Sequence, residues 1–289
     1  MTEYLVYDVF TDTPFGGNQL AVIPNARTLK EADLQRIATE FNFSEVTFIY
    51  PPENPDHTAR VRIFTPTNEI PFAGHPTIGT AIALSDLGGS ASMVLELGIG
   101  PIPCEVSKTT PPSAQFTIKA ALERLDTIDT ELIADCLSLP QDAIITQNHT
   151  PEMVSVGLPF VMVELAHLND LAQASPATSA FKRGAKQHVN NADLFAIMVY
   201  VKTETGIQAR MFDPLNNTSE DPATGSAAAA LGSYLTSLTG QAQTLNITQG
   251  VEMGRPSGIL VSTTLQDGQA NSVTVRGSAV KTMQGTLVF

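Results

Sequence analysis

Arg62-Ile63-Phe64-Thr65-Pro66 and Arg210-Met211-Phe212-Asp213-Pro214 read alike at an offset of 148 positions. A second pair follows in the same order. His75-Pro76-Thr77-Ile78-Gly79-Thr80-Ala81 matches Asp221-Pro222-Ala223-Thr224-Gly225-Ser226-Ala227 at an offset of 146. One five-residue match is weak evidence. Two matches in order, at nearly one offset, mark an internal duplication. The 289 residues therefore read as two copies of one unit, each about half the chain.

Each copy has a local reading. Ala59 to Phe64 and Ile207 to Phe212 carry β-branched and apolar residues and suit strands. Thr-Pro and Asp-Pro then break them. Pro76 and Pro222 sit where a helix would begin, since the first helical N–H has no intrahelical partner to lose. Asp221 suits an N-cap. Ile78 to Leu87 and Thr224 to Leu238 are apolar nearly all round and rich in Gly and Ala, as in a buried helix. Each unit is expected to wrap strands around one central helix.

Further strands are expected at Tyr4–Phe10, Leu20–Ile23, Val46–Tyr50 and Met93–Leu97 in the first half. In the second half they fall at Phe160–Glu164, Phe195–Val201, Leu245–Thr248 and Val273–Arg276. Thr28 to Phe41 reads as an amphipathic helix with Leu29, Leu34, Ile37, Ala38 and Phe41 on one face, and Thr130–Leu137 as its counterpart. Pro51–His57 and Lys108–Ser113 read as loops. The domain break falls between Ala120 and Asp129. This gives an N-terminal domain at 1–122 and a C-terminal domain at 123–289, with the last strand, 279–289, able to join the first.

Composition removes several function classes. The formal net charge of −13 repels nucleic acid and anionic membrane. No apolar run reaches the roughly 18 residues of a bilayer span. Met1-Thr2-Glu3-Tyr4 shows no basic segment leading into an apolar one, so the expected location is cytoplasmic. Cys104 and Cys136 form no CxxC, and the five histidines show no ligand spacing, so neither a disulfide framework nor a metal site is expected.

The helix starts carry the chemistry. A helix N-terminus offers unpaired N–H groups and partial positive charge, which suit a carboxylate even in an acidic protein. Gly79 and Gly225, with Thr80 and Ser226, would let the backbone approach such an anion. The alternative is that they only permit close helix packing. His75 and Asp221 stand at matching places in the two copies, one an imidazole and one a carboxylate, as acid–base chemistry requires. Taken alone, Asp221 is more often a cap. Glu45, opening the strand after Phe43-Ser44, could be a solvated strand end. In a partly desolvated cleft its pKa would rise and it could serve as a general base.

Several stretches together resemble the phenazine-biosynthesis (PhzF-like) family of the diaminopimelate-epimerase-like superfamily. They are Asp8 through Val22, Phe43-Ser44-Glu45, Phe72-Ala73-Gly74-His75-Pro76-Thr77 and Glu220 through Ala227. Gln249-Gly250 with Met253-Gly254-Arg255-Pro256-Ser257 is another. The resemblance covers essentially the whole chain. It implies an α+β fold of two pseudo-symmetric domains, each a curved mixed sheet or barrel around a central helix, with the site between them. It implies a cofactor-independent isomerase that moves a proton within a small cyclic or unsaturated carboxylic acid of the dihydro-hydroxyanthranilate type. The catalytic set carried over is Glu45, His75 and Asp221, with Glu45 moving the proton. Asn18, Gly74, Gly225 and Ser226 are expected to bind substrate. No metal or organic cofactor is implied, and a homodimer is. Racemases of the superfamily use two cysteines, and here the matching positions are Ala73 and Thr224. Gln19 stands where the family more often has proline. The alternatives are a non-catalytic anion-binding or interaction protein on the same fold, and a non-thiol racemase or epimerase.

Overall fold

The computed structural model describes residues 1–188, 195–216, 218–266 and 269–289. It divides into two units, Met1–Ile118 with Thr274–Phe289, and Lys119–Val273. The first break falls before the expected 122/123 boundary, and the returning segment is longer than 279–289. Among the described residues, no helix is long and apolar enough to cross a membrane.

The first unit contains β1 (Thr2–Val9), β2 (Asn18–Ile23), α1 (Glu31–Phe41), β3 (Glu45–Tyr50), β4 (Ala59–Phe64) and β5 (Glu69–Ile70). It continues through α2 (Gly74–Asp86), β6 (Ser92–Leu97), β7 (Gly100–Ser107) and β8 (Ser113–Ile118). The remaining elements in chain order are β9 (Glu123–Thr127), α3 (Thr130–Leu137), β10 (Glu152–Ser155), β11 (Pro159–Glu164), α4 (Leu168–Gln173) and α5 (Thr178–His188). After these come β12 (Ile197–Thr203), β13 (Gly206–Asp213), β14 (Thr218–Asp221), α6 (Gly225–Thr239), β15 (Thr244–Gln249), β16 (Ser257–Gln266) and β17 (Gln269–Leu287). From Thr274 onward β17 belongs to the first unit.

In the first unit β2 runs parallel to β3 and β4 parallel to β6, while the other neighbours are antiparallel. β17 pairs with both β8 and β1, which closes an eight-stranded barrel in the order β1–β2–β3–β4–β6–β7–β8–β17. Closure leaves no unpaired sheet edge around the circuit. α2 packs against β1, β2, β3, β6, β7 and β8, as a helix inside the barrel must. Its residues from Gly74 to Ala83 are all buried, which explains its nearly uniform apolar character. α1 lies outside, its buried Leu34, Ile37 and Ala38 covering Ala21, Ile23, Val46 and Phe48.

In the second unit the pairing runs β9–β10–β11–β12–β13–β15–β16. β11 is parallel to β12, and β13 to β15. From β1 and from β10 onward, the two units list their parallel and antiparallel pairings in one order. α6 packs on β10, β11, β15 and β16. A second apolar cluster, including Leu132, Ile133, Leu137, Val161, Phe181, Phe195 and Ile197, fixes α3 and α5 to the sheet.

Two expectations about the helix starts need correction. α2 begins at Gly74, so Pro76 is its third residue rather than its first. α6 begins only at Gly225, so Pro222 lies outside it. The aligned motifs therefore enter their helices at different points. Gly79 takes the packing reading, because it sits inside α2 against the barrel wall. A Cβ there would lie 2.5 Å from Leu20 Cδ2 and 2.8 Å from Val9 Cγ2. Overpacking costs about 1–3 kcal/mol, and alanine returns about 1 kcal/mol of helix propensity. Gly79→Ala is therefore expected to lower stability by about 1 kcal/mol in urea unfolding. The control is Gly258→Ala on β16, where an added Cβ meets nothing within 4 Å. It should leave stability unchanged or raise it, and equal losses in the two variants would refute the packing account.

Candidate active site

Parallel pairing of β2 and β3 sets Leu20 beside Glu45, so both strands begin at one end of the sheet. Asn18 opens β2, and Ser44 and Glu45 open β3. The first turn of α2 brings His75 to the same place. His75 Nδ1 lies 3.0 Å from Glu45 Oε2. It also lies 3.4 Å from Asn18 Nδ2, and its Nε2 lies 3.2 Å from the Gln19 carbonyl oxygen. Ser44 Oγ donates to Asn18 Oδ1 at 3.2 Å. The His75 side chain is 3% exposed and that of Glu45 14%. Thus Glu45, His75 and Asn18 come together, with Gly74 next in sequence to His75 at the head of α2. Gly17 (φ +62°) makes the turn that delivers Asn18. A Cβ at Gly17 would stand 2.3 Å from the Val9 carbonyl oxygen, so only glycine fits.

Asp221, Gly225 and Ser226 lie together in the second unit. Asp221 ends β14 and is not the N-cap of α6; that residue is Thr224. The Asp221 carboxylate instead accepts a 2.5 Å hydrogen bond from Thr224 Oγ1. The fully buried Gln249 secures this turn. Its Nε2 donates to the Asp221 carbonyl at 2.7 Å and to Thr224 Oγ1 at 3.1 Å, while its Oε1 accepts from the Thr224 N–H at 3.2 Å. Gly250 follows with φ +74°, where a Cβ would come within 2.7 Å of the Pro222 carbonyl oxygen. Gly225 and Ser226 head α6, leaving first-turn N–H groups without intrahelical acceptors. Sequence reasoning placed no weight on Ser44, Thr224 or Gln249. Ser44 and Gln249 appear there only in stretches quoted for the resemblance, and Thr224 as a member of the repeated block and the position matching a racemase cysteine.

Electrostatics separate the titratable groups. Burial pushes the His75 imidazole down to about 3, against a smaller upward pull from its backbone hydrogen bond to Gln19. Burial pushes the Asp213 carboxyl up to about 6, opposed by the Asn216 amide and helped by the charge of Asp221. These shifts act on stability with opposite signs. Below about 6.5 the unfolded chain protonates His75 and the folded one does not, so acidification costs about 1.4 kcal/mol per pH unit. Between about 6 and 3.8 the folded chain protonates Asp213 and the unfolded one does not, so acidification returns a similar amount. Asp213→Asn removes the second effect. Its stability should fall more steeply than wild type between pH 6 and 4, by about 1.4 kcal/mol per unit, in urea unfolding. Parallel slopes would mean that Asp213 titrates normally.

Comparison with known proteins shows the family. A family model described as phenazine biosynthesis-like protein, PhzC-PhzF, matches residues 7–285. The chain belongs to that family. It is 40% identical to an uncharacterized isomerase of Mesorhizobium japonicum, covering 99% of this chain and 98% of that one. It is 35% identical to the trans-2,3-dihydro-3-hydroxyanthranilate isomerase of Pseudomonas fluorescens, over 100% of both chains. The crystal structure of a PhzF-family phenazine biosynthesis protein of Bacillus anthracis superposes with a TM-score of 0.87 at 23% identity, covering 100% of this chain and 99% of the other. That structure supports the fold of mixed sheet, closed barrel and helices. As a PhzF-like protein the chain is an enzyme of the isomerase class.

Proposed function

We propose that this isomerase shifts a proton within a small cyclic or unsaturated carboxylic acid, of the dihydro-hydroxyanthranilate type, by acid–base catalysis. Glu45 takes a proton from one carbon and returns one to another as the double bond moves. Protons and electrons balance within the substrate, so no oxidant or reductant is called for. His75 tunes and relays the proton. Asp221 assists from the second unit, and the helix starts at Gly74 and at Gly225–Ser226 hold the substrate carboxylate. Asn18 joins them in binding substrate. The two units are taken as pseudo-symmetric copies, and the working protein as a cytoplasmic homodimer that needs no metal or organic cofactor.

The observation that carries this reading is the 3.0 Å contact of Glu45 Oε2 with His75 Nδ1 at a largely desolvated strand end. A purely structural acid at a strand edge gains nothing from a neutral imidazole buried beside it. A two-thiol racemase is disfavoured: Cys104 and Cys136 are buried and burial pushes both thiols up to about 12.

The test is proton NMR of the purified protein with trans-2,3-dihydro-3-hydroxyanthranilate in D2O. Conversion, with deuterium entering the product at the reprotonated carbon, is the expected result. Failure to convert this compound or any of a panel of small unsaturated carboxylic acids would sink the isomerisation reading. It would leave a non-catalytic binding protein.

A further inference from the structure

We infer that Gln249 and Thr224 are positioning residues for Asp221: Gln249 fixes the Thr224 hydroxyl as a donor to Asp221 Oδ2, so that this carboxylate serves as an acceptor and not as a proton donor. The part Asp221 plays in the reaction rests on the proposed isomerase chemistry. Its hydrogen-bond state follows from donors and acceptors within the second unit alone.

Each bond of this set has one possible direction. The Asp221 carbonyl can only accept, and the Thr224 N–H can only donate. The Gln249 amide must therefore turn its Nε2 to the first, at 2.7 Å, and its Oε1 to the second, at 3.2 Å. That spends one of the two Nε2 hydrogens. The other goes to Thr224 Oγ1 at 3.1 Å. With a hydrogen arriving from Gln249, the hydroxyl directs its own hydrogen at Asp221 Oδ2, 2.5 Å away. A hydroxyl bonded to an ionised oxygen has such a length, about 2.5–2.7 Å. A proton on Oδ2 would meet the hydroxyl hydrogen head-on, so this oxygen is deprotonated.

Two further features commit the hydroxyl to this task. Thr224 is the N-cap residue of α6, where a threonine side chain ordinarily accepts an N–H of the first turn. This one makes no such bond. Its hydroxyl serves Asp221 instead of the helix. Gln249, for its part, reaches out from a rigid base. It pairs with Ala209 of β13 on one side and Ser257 of β16 on the other, and its side chain is fully buried. Gly250 after it admits no side chain, since a Cβ would stand 2.5 Å from the Arg255 carbonyl oxygen. A group held on a packed strand sets its partner's geometry more closely than one on a loop. Proton transfer then falls to Glu45 with His75. Asp221 is left as a fixed negative charge, suited to an amino, ammonium or hydroxyl group of the substrate.

The experiment follows the Asp221 carboxyl by ¹³C NMR of aspartate-labelled protein, without substrate. Asp213 is the neighbouring acid whose titration feels the charge of Asp221. The two signals are therefore assigned separately, as those that vanish in Asp221→Asn and in Asp213→Asn. The wild-type Asp221 signal should be that of a carboxylate at pH 7. Thr224→Val keeps the shape and removes the hydroxyl. It should raise the Asp221 titration midpoint by about 1–2 pH units, the worth of a bond to a charged acceptor. Thr224→Ser should restore the wild-type midpoint. Thr224→Cys, a weaker donor, should fall between the two and gives the same test where valine disturbs the turn. Gln249→Met frees the hydroxyl without removing it and should move the midpoint the same way by less. With substrate, kcat/KM should fall about 10- to 100-fold in Thr224→Val and recover in Thr224→Ser. A protonated Asp221 in the wild type at pH 7, or a midpoint that loss of the hydroxyl leaves in place, overturns the inference. A midpoint unmoved in Gln249→Met overturns the role of Gln249. The expected midpoint shifts in a protein that isomerises nothing would sink the isomerase reading and leave the positioning of Asp221 standing.

Discussion

Glu45→Gln is expected to lower kcat by about 10³- to 10⁴-fold while changing substrate affinity by less than about 3-fold. Loss of a positioned general acid–base group typically costs 10²–10⁴-fold, and a carboxylate that both removes and returns the proton sits at the top of that range. Glutamine fills the same volume but cannot exchange a proton at the working pH. It also fills the place beside the His75 ring that the Glu45 oxygen occupies at 3.0 Å. The fold around β3 should therefore survive, and stability should match wild type. Glu45→Asp keeps the carboxyl but withdraws it by one methylene, and misplacement of that size costs about 10²-fold. The three proteins together separate chemistry from positioning. The measurement is the initial rate of substrate conversion by NMR, with affinity from calorimetry. Turnover by Glu45→Gln near the wild-type rate would remove Glu45 from the reaction. Joint loss of turnover and affinity would point to a binding role.

Much of this arrangement is legible in the sequence because it depends on patterns local to a few residues. The paired R-[IM]-F-x-P and [HD]-P-x-x-G-[ST]-A blocks announce the duplication. The Gly- and Ala-rich runs after them become α2 and α6, each largely buried. His75 is found because it opens one of these blocks, and Glu45 because it stands in Phe43-Ser44-Glu45 at the start of a strand. What local pattern does not carry is the partner supplied from far away. Gln249 reaches Asp221 and Thr224 across 28 and 25 positions, and nothing near Gln249 says so. Barrel closure is equally non-local, since β17 pairs back to β1 from the far end of the chain. The helix starts were misread for a different reason. Proline is compatible with the whole first turn, where N–H groups lack acceptors, so Pro76 marks that turn and not its first residue. Asp221 reads as a cap by residue type, yet Thr224 holds that place and the aspartate accepts its hydroxyl instead.

The repeated arginines show how one motif position acquires two energetic meanings. Arg210→Met is expected to cost about 3–5 kcal/mol, and Arg62→Met less than about 1 kcal/mol. The Arg210 side chain is 8% exposed and pairs with Glu220, itself 14% exposed. Its Nε and Nη2 meet the two Glu220 oxygens at 2.8 Å each, and Nη1 donates to the carbonyls of Leu171 and Ala174 at 2.9 and 2.8 Å. Removing it strands a desolvated carboxylate and the acceptors that end α4. Arg62 makes bonds as short, to Glu31 and Glu69, but those partners are 74% and 43% exposed. Water takes over when that guanidinium leaves. Bond length therefore does not rank the two; desolvation does. Urea unfolding of both variants tests this, with amide exchange expected to localise the Arg210 loss to β13 and α4. Equal costs would refute the ranking. Replacing both partners, as Arg210→Met with Glu220→Leu, should recover most of the loss, because the cost lies in the charge left unpaired and not in the bond removed. A double variant no more stable than Arg210→Met would place the cost in the orphaned carbonyls of Leu171 and Ala174.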